Sequence, residues 1–208
     1  MVGRLITGPA DLAEGAAWLA GQDPRFARAL ALVGDLPLRR KPDGFSALLE
    51  AIISQQVSVA SANAIRARMA AAGYDSRAAV ALAGEDDLRA AGLSRQKASY
   101  ALALAHSAVD FDALRDLPDD RVIETLVAVK GIGRWTAEIY AMFALGRADV
   151  FAPNDLALQE AAKHLFDLPA RPSERALRQM SLAWSPWRAV AARCLFAYYH
   201  VVKSRDGI

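Results

Sequence analysis

The chain of 208 residues is long enough to bury a sizeable core, and 54% of its residues are hydrophobic. Its 25 basic and 23 acidic residues leave a formal net charge of +2, which is too small to indicate a nucleic-acid partner by itself and does not exclude a local basic face. The single cysteine, Cys194, excludes an intrachain disulfide and any four-cysteine iron–sulfur or zinc site within this chain. The start of the sequence lacks the pattern of a signal peptide, and no uncharged apolar stretch approaches the roughly 20 residues that a membrane helix needs.

Helical periodicity runs almost from end to end of the sequence, and it predicts an all-α fold. In residues 44–71 the apolar positions that recur at helical spacing are Phe45, Leu48, Leu49, Ile52, Ile53 and Val57. Residues 85–108 predict a short helix, a break at Gly92 and a longer helix whose N-cap is Ser94. No segment shows the alternation that is typical of a half-buried strand.

Three further helices are predicted in the second half of the chain. One lies near residues 119–129, and another starts after Pro153. The last begins with Ser185 as its N-cap and Pro186 at its first helical position.

Two clusters of helix-breaking residues, at 34–44 and 146–155, are interpreted as crossings between two helical lobes. We therefore predict a single domain in which lobe A comprises residues 1–43 and 148–208. Lobe B comprises residues 44–147.

The stretch "VKGIGRWTAEIYAMF", residues 129–143, places Gly131 and Gly133 between two segments with helical periodicity. One interpretation is an αα-hairpin in which the glycines stop one helix and allow the chain to reverse. The other is a phosphate site, because glycines let a polyanion approach the backbone N–H groups that open the second helix. The pattern alone leaves both interpretations open.

Four motifs occur in an order that resembles one known family. They are "QQVSVASA" (55–62), "GIGRWTAEIY" (131–140), "DVFAPNDLALQ" (149–159) and "WSPWRAVA" (184–191). Together they resemble the helix–hairpin–helix DNA glycosylase superfamily and, within it, the 3-methyladenine DNA glycosylase II family. The resemblance covers roughly Phe26 to Val201 and implies an all-α fold of two helical lobes with a central cleft.

The resemblance makes Asp155 the catalytic carboxylate, although the same residue also fits a plain helix N-cap. The two roles are compatible, since a helix N-terminus favours negative charge. An ionised carboxylate can stabilise an oxocarbenium-like sugar and can orient or deprotonate an attacking water. A leaving base that is already cationic needs little help from a second acid.

The resemblance also implies a base pocket with Trp135 and Trp187 as its walls, and Ile139 and Leu156 at positions where relatives can carry an aromatic residue. Electron-rich indole faces suit a cationic base, and both tryptophans could instead be core residues. Lyase-competent relatives carry a nucleophilic lysine where this chain has Trp135, so no amine is present there to form a Schiff base.

DNA-binding residues are implied at the hairpin and on the first motif. Gln56 occupies the position of a wedge that fills the gap left by the flipped base, or it is polar surface on a helix. The hairpin would hold a phosphate through a group of residues that comprises Lys130, Gly131, Gly133, Arg134 and Thr136. The backbone carbonyls of Val127, Val129 and Ile132 match positions that hold a monovalent cation, Na⁺ or K⁺, in the family; no other cofactor is expected.

The predicted function is a monofunctional N-glycosylase of base excision repair that flips alkylated purines out of double-stranded DNA and hydrolyses the N-glycosidic bond. The alternatives are a non-catalytic DNA-binding module, a glycosylase for other damaged bases (including a bifunctional glycosylase/lyase), and a plain helical scaffold. We expect a monomer with no membrane partner, located in the cytoplasm and associated with the nucleoid if the protein is bacterial.

Overall fold

The computed structural model describes residues 2–205, which form twelve α-helices and two short 3₁₀ turns. The helices are α1 (Pro9–Gln22), α2 (Pro24–Val33), α3 (Phe45–Ser54), α4 (Val59–Ala71), α5 (Arg77–Leu82), α6 (Glu85–Ala90), α7 (Arg95–Ala105), α8 (Asp119–Val127), α9 (Arg134–Phe143), α10 (Leu156–Leu165), α11 (Glu174–Ser181) and α12 (Arg188–Arg205). Over residues 2–205 no regular strand forms, and an isolated antiparallel bridge joins Leu5 to Arg147. The all-α prediction is confirmed. No helix in this range is long and apolar enough to cross a lipid bilayer.

The chain divides into two compact units. Residues 41–140 form the central unit, and residues 2–40 together with 141–205 form the terminal unit. The division into functional lobes at 43/44 and 147/148 stays a prediction.

The core of the central unit is built on α3, which packs against α4 and α7. Five of the six apolar positions predicted for this segment are buried, and Leu48 and Ile52 have no exposed surface. The prediction was wrong for Val57, which is 38% exposed. The reason is that α3 ends at Ser54 and a turn follows, in which Gln56 adopts a left-handed backbone with φ of 55°. A helical face therefore does not continue to Val57.

The predicted helix boundaries differ in how well they agree with the structure. The break at Gly92 (φ 107°) and the N-cap at Ser94, whose hydroxyl accepts a hydrogen bond from Lys97 N, are confirmed. The prediction that Ser185 caps α12 was wrong. The Ser185 hydroxyl donates to Asp149 Oδ2 (2.8 Å) instead, and a tight turn precedes α12.

In the terminal unit α12 packs against α1, α2 and α10. An aromatic cluster around Trp184 fills the space beside it, with ring centroids 5.2 Å away for Phe151, 5.4 Å for Phe26 and 5.7 Å for Phe166. Cys194 lies in this core, and burial raises the pKa of its thiol to about 12. The cysteine is therefore a small buried hydrophobic residue, as expected from the sequence.

A buried arginine joins three segments of the terminal unit. The guanidinium of Arg193, which is 1% exposed, donates hydrogen bonds to the carbonyls of Leu38 (3.3 Å), Met142 (3.2 Å) and Ala189 (3.0 Å). It also lies 4.6 Å from the centre of the Phe143 ring. Burial and the neighbouring arginines lower the pKa of Arg193 to about 10, so the side chain stays charged at neutral pH. A planar group with five donors suits three converging carbonyls.

We expect Arg193→Lys to lower the free energy of unfolding by about 2–4 kcal/mol, because three different guanidinium nitrogens reach these carbonyls and the single nitrogen of lysine cannot lie within hydrogen-bond distance of all of them. Each unsatisfied buried group costs about 1–3 kcal/mol. Denaturant unfolding measures the loss. The exposed Arg175 provides the control, since Arg175→Lys should change stability little. Equal small effects in the two variants would contradict a structural role for Arg193.

Candidate active site

The glycine segment forms the predicted turn between two helices. Helix α8 ends at Val127 and α9 begins at Arg134. Between them Ile132 N donates to the Val129 carbonyl (3.0 Å), and Gly131 has φ of 94°. The predicted turn with two glycines between two helices is confirmed.

The two glycines of the hairpin have different surroundings. A side chain on Gly131 would place its Cβ 2.3 Å from Cγ of Tyr100, and the left-handed backbone would be strained for any other residue. A Cβ on Gly133 would meet no atom within 4 Å, and this residue is exposed. Gly131 is therefore needed for the turn and for its packing against Tyr100. At Gly133 the protein itself leaves room for a side chain, and the backbone there is accessible to a ligand.

The charged side chains of the hairpin lie on the surface. Lys130 Nζ donates to the Ser99 hydroxyl (3.1 Å), and Arg134 Nε donates to the buried carboxylate of Glu138 (3.0 Å). Thr136 is 6% exposed. A ligand at this surface would therefore meet Lys130 and Arg134 before it met the Thr136 side chain.

The turn that carries Gln56 is fastened by two side chains from elsewhere in the central unit. Gln55 Nε2 donates to the Gly131 carbonyl (3.2 Å), and Lys97 Nζ donates to the Ile53 carbonyl at the end of α3 (2.7 Å). Burial lowers the pKa of Lys97. Gln56 itself is exposed and does not lie on a helix, which corrects the interpretation of this residue as helix surface.

An open groove of about 580 Å³ runs along this side of the central unit. Its lining includes Gln55, Gln56, Lys97, Tyr100, Gly131 and Gly133. The predicted wedge and the predicted phosphate contact thus lie on one groove. The sequence gives no sign that Gln55, Lys97 and Tyr100 belong to this groove, because their contacts join positions that are far apart in the chain.

Asp155 caps the N-terminus of α10 in the terminal unit. Its Oδ1 atom accepts hydrogen bonds from Ala157 N (2.9 Å) and Leu158 N (3.2 Å), and its own N–H donates to the Ala152 carbonyl (3.0 Å). The side chain is half-buried. These donors and the positive end of the helix stabilise a negative charge at this position. The predicted N-cap is confirmed; the catalytic role stays a prediction.

The four predicted pocket residues differ widely in exposure. Trp135 is 40% exposed and Leu156 is 63% exposed, while Ile139, one turn after Trp135 on α9, is half-buried. Trp187 is 2% exposed, and the Arg4 guanidinium lies 4.4 Å from the centre of its ring. A base can stack on this face of Trp187 only if Arg4 moves away.

The predicted cation position comprises the carbonyls of Val127, at the end of α8, and of Val129 and Ile132, in the turn that follows. The Val129 carbonyl accepts the hydrogen bond from Ile132 N, which leaves it one lone pair, and Val127 is the last residue of α8. No group of three histidine, cysteine or carboxylate side chains that could hold a metal ion occurs within residues 2–205.

Residues 49–187, more than half of the chain, match the family described as the HhH-GPD superfamily of base excision DNA repair proteins. The chain belongs to this family. The resemblance that the four motifs suggested is therefore confirmed, and so is the fold class.

Curated proteins that are similar to this chain carry consistent names. DNA-3-methyladenine glycosylase 1 of Schizosaccharomyces pombe is 29% identical over 186 residues, which are 84% of this chain and 82% of that protein. DNA-3-methyladenine glycosylase 2 of Escherichia coli is 30% identical over 164 residues, which are 72% of this chain and 55% of the E. coli protein.

Solved structures that resemble this chain in fold and sequence carry names of the same kind. The crystal structure of a DNA-3-methyladenine glycosidase from Bacillus halodurans has a TM-score of 0.81 at 30% identity, over 98% of this chain and 95% of that one. The S. pombe 3-methyladenine DNA glycosylase in complex with abasic DNA has a TM-score of 0.74 at 28% identity, over 88% of this chain and 95% of that one.

We expect the two hairpin glycines to respond differently to alanine. Gly131→Ala should lower the free energy of unfolding by about 1–3 kcal/mol, because it forces a strained backbone and a clash with Tyr100. Gly133→Ala should leave stability nearly unchanged. Thermal or denaturant unfolding of both variants measures this difference, and equal losses would show that the packing on Tyr100 does not dictate the glycine.

Proposed function

We propose that this protein is a monofunctional DNA N-glycosylase that flips alkylated purines, of the 3-methyladenine and 7-methylguanine type, out of double-stranded DNA and hydrolyses their N-glycosidic bond. The observation that carries the proposal is the Asp155 carboxylate at the N-terminus of α10, in a chain of the HhH-GPD family. The names of the relatives support the substrate class.

Asp155 would act on the sugar rather than on the base. As the bond between C1′ and the base nitrogen breaks, its electron pair leaves with the base and positive charge develops on the sugar. A fixed carboxylate stabilises that charge, and water then adds to C1′ and gives up a proton. The N–H groups of Ala157 and Leu158 hold Oδ1 in place before the reaction starts, so little reorganisation is needed.

A purine nucleotide alkylated at N3 or N7 carries a positive charge on its base, and for such a base one carboxylate would suffice. A cationic base leaves as a neutral molecule and does not need to be protonated first. The exposed indole of Trp135 is suited to contact such a base through a cation–π interaction. Trp187, Ile139 and Leu156 complete the proposed pocket, with the condition that Arg4 leaves the ring of Trp187.

The side chain at position 135 favours simple hydrolysis over a lyase reaction. A lyase needs an amine that attacks C1′ and forms a Schiff base, and an indole cannot do so. The non-catalytic clamp is less well supported, because a clamp needs no base pocket and would leave Asp155, at its motif position, only the role of a helix N-cap.

Double-stranded DNA would meet the groove of the central unit. Gly133 lets a phosphate approach the backbone of the hairpin, and Lys130 and Arg134 supply exposed positive charge. Gln56, at the tip of its turn, would fill the gap left by the flipped nucleotide. We further propose a monomer, and a Na⁺ or K⁺ ion held by the carbonyls of Val127, Val129 and Ile132.

Asp155→Asn tests the catalytic role, because asparagine caps a helix as well as aspartate but carries no charge. We expect single-turnover release of alkylated bases to slow by about 10²–10³-fold, the usual effect of losing one preorganised electrostatic group. Stability and binding to damaged DNA should remain. Asp23→Asn, at the N-cap of α2, is the matched control and should keep the parent rate. Release by Asp155→Asn at the parent rate would reduce Asp155 to a cap.

Gln56→Ala tests the wedge. Binding to duplex DNA with an abasic-site analogue should weaken by about tenfold or more, whereas binding to undamaged duplex should change little, because only the first has a gap to fill. The exposed Gln179, in the terminal unit, serves as the control in Gln179→Ala. Equal losses on both DNAs would assign Gln56 to the surface and not to the gap.

A further inference from the structure

Asp155 is the last residue of a tight turn. Its N–H donates to the Ala152 carbonyl (3.0 Å), so residues 152–155 form a β-turn with Pro153 in the second position and Asn154 in the third. Proline fixes φ at the second position of both common turn types. Asn154 does not have a positive φ, so the turn is not of type II and matches type I.

The sequence of the turn is also compatible with a second conformation, type II, at a small cost in free energy. Types I and II differ mainly in the orientation of the central peptide, here the one between Pro153 and Asn154, and type II needs a positive φ at the third position. Asparagine accepts positive φ more readily than almost any other residue except glycine. Without a further contact, the Pro153–Asn154 peptide could therefore turn over at a small cost in free energy.

Gln159 supplies that contact. Its side-chain Nε2 donates to the Pro153 carbonyl (2.8 Å), which belongs to the central peptide, and its backbone N–H donates to the Asp155 carbonyl (3.0 Å). Gln159 is 6% exposed and Pro153 is buried. If the peptide turned over, the carbonyl would point away and a buried donor would lose its partner, which proteins rarely tolerate.

We propose that Gln159 is a positioning residue that locks the Pro153–Asn154 peptide in the type I orientation and so fixes the direction in which the Asp155 carboxylate faces its substrate. The proposal rests on the catalytic role of Asp155 given above. It assigns Gln159 an effect on rate that acts through another residue, since a displacement of about 1 Å at a reacting group can cost 10²-fold in rate.

The first experiment replaces Gln159 with methionine, which keeps the length of the side chain and removes the donor. Gln159→Met should slow single-turnover base release by about 10- to 100-fold. Affinity for abasic-site DNA should stay within about twofold of the parent, because the DNA-binding residues are unchanged. In the Asp155→Asn background the same change should cost no further rate, because a residue that acts only through the carboxylate has nothing left to position.

The second experiment uses Asn154, which is exposed and contributes the N–H of the same peptide. Asn154→Ala makes positive φ unfavourable and should restore several-fold of the rate lost in Gln159→Met. Asn154→Gly makes positive φ easy and should slow that variant further. A role of Gln159 in core packing alone predicts no rescue from an exposed position.

The outcomes separate the two proposals. If the parent protein releases no alkylated base, the proposed function fails. If the parent is active and Gln159→Met keeps its rate, or if Asn154→Ala and Asn154→Gly have the same effect in that background, the positioning role is overturned while the proposed function stands. If Gln159→Met does not fold, Gln159→Asn takes its place, because it keeps the amide but shortens the side chain, so that the donor no longer reaches the Pro153 carbonyl. The parent rate in that variant overturns the positioning role.

Discussion

One carboxylate, that of Asp155 at the N-terminus of α10, is the constraint on which the rest of the proposed site depends. Asp155 satisfies two backbone N–H groups of α10, and the same contacts hold its charge at a fixed place. A helix terminus needs such an acceptor for its own stability. A reaction that develops positive charge on a sugar needs a preorganised anion. Asp155 meets the first need and is proposed to meet the second, and for this reason its two interpretations could not be separated from sequence.

Near this carboxylate and near the hairpin, glutamine side chains hold the turns that carry the proposed site residues. Gln55 reaches the Gly131 carbonyl, 76 residues away, and thereby ties the turn of Gln56 to the hairpin. Gln159 reaches the Pro153 carbonyl in the turn before Asp155. In both cases an amide donor fixes a peptide carbonyl in a segment without regular structure, where no helix could supply the hydrogen bond. Rigid side-chain contacts of this kind are what a site on a turn needs to keep its geometry.

Much of the fold could be predicted from the sequence, because helical periodicity and capping residues are local signals. The buried positions of α3, the break at Gly92 and the caps at Ser94 and Asp155 were all visible in this way. The family could be predicted because four motifs occur in a fixed order. Contacts between distant segments left no such signal, so the roles of Gln55 and Gln159 as hydrogen-bond donors to turns were missed.

The remaining differences have the same physical origin. The start of α12 was placed too early because the hydroxyl of Ser185 bonds to Asp149, a residue in another segment, instead of to its own helix. For Trp187, the proposed pocket wall, the structure adds contacts that no local pattern shows: its ring packs against Gly15, where a Cβ would lie 2.8 Å away, and under Arg4. Tertiary contacts thus decide where local patterns are ambiguous.

The most direct test of the central claim is to incubate the protein with alkylated double-stranded DNA and to analyse both products. Chromatography identifies released bases, and borohydride treatment followed by gel electrophoresis detects covalent protein–DNA adducts and strand breaks. We predict free alkylated purines, an abasic strand that stays intact, and no trapped adduct. Absence of free bases, or a trapped Schiff-base adduct, would contradict the account.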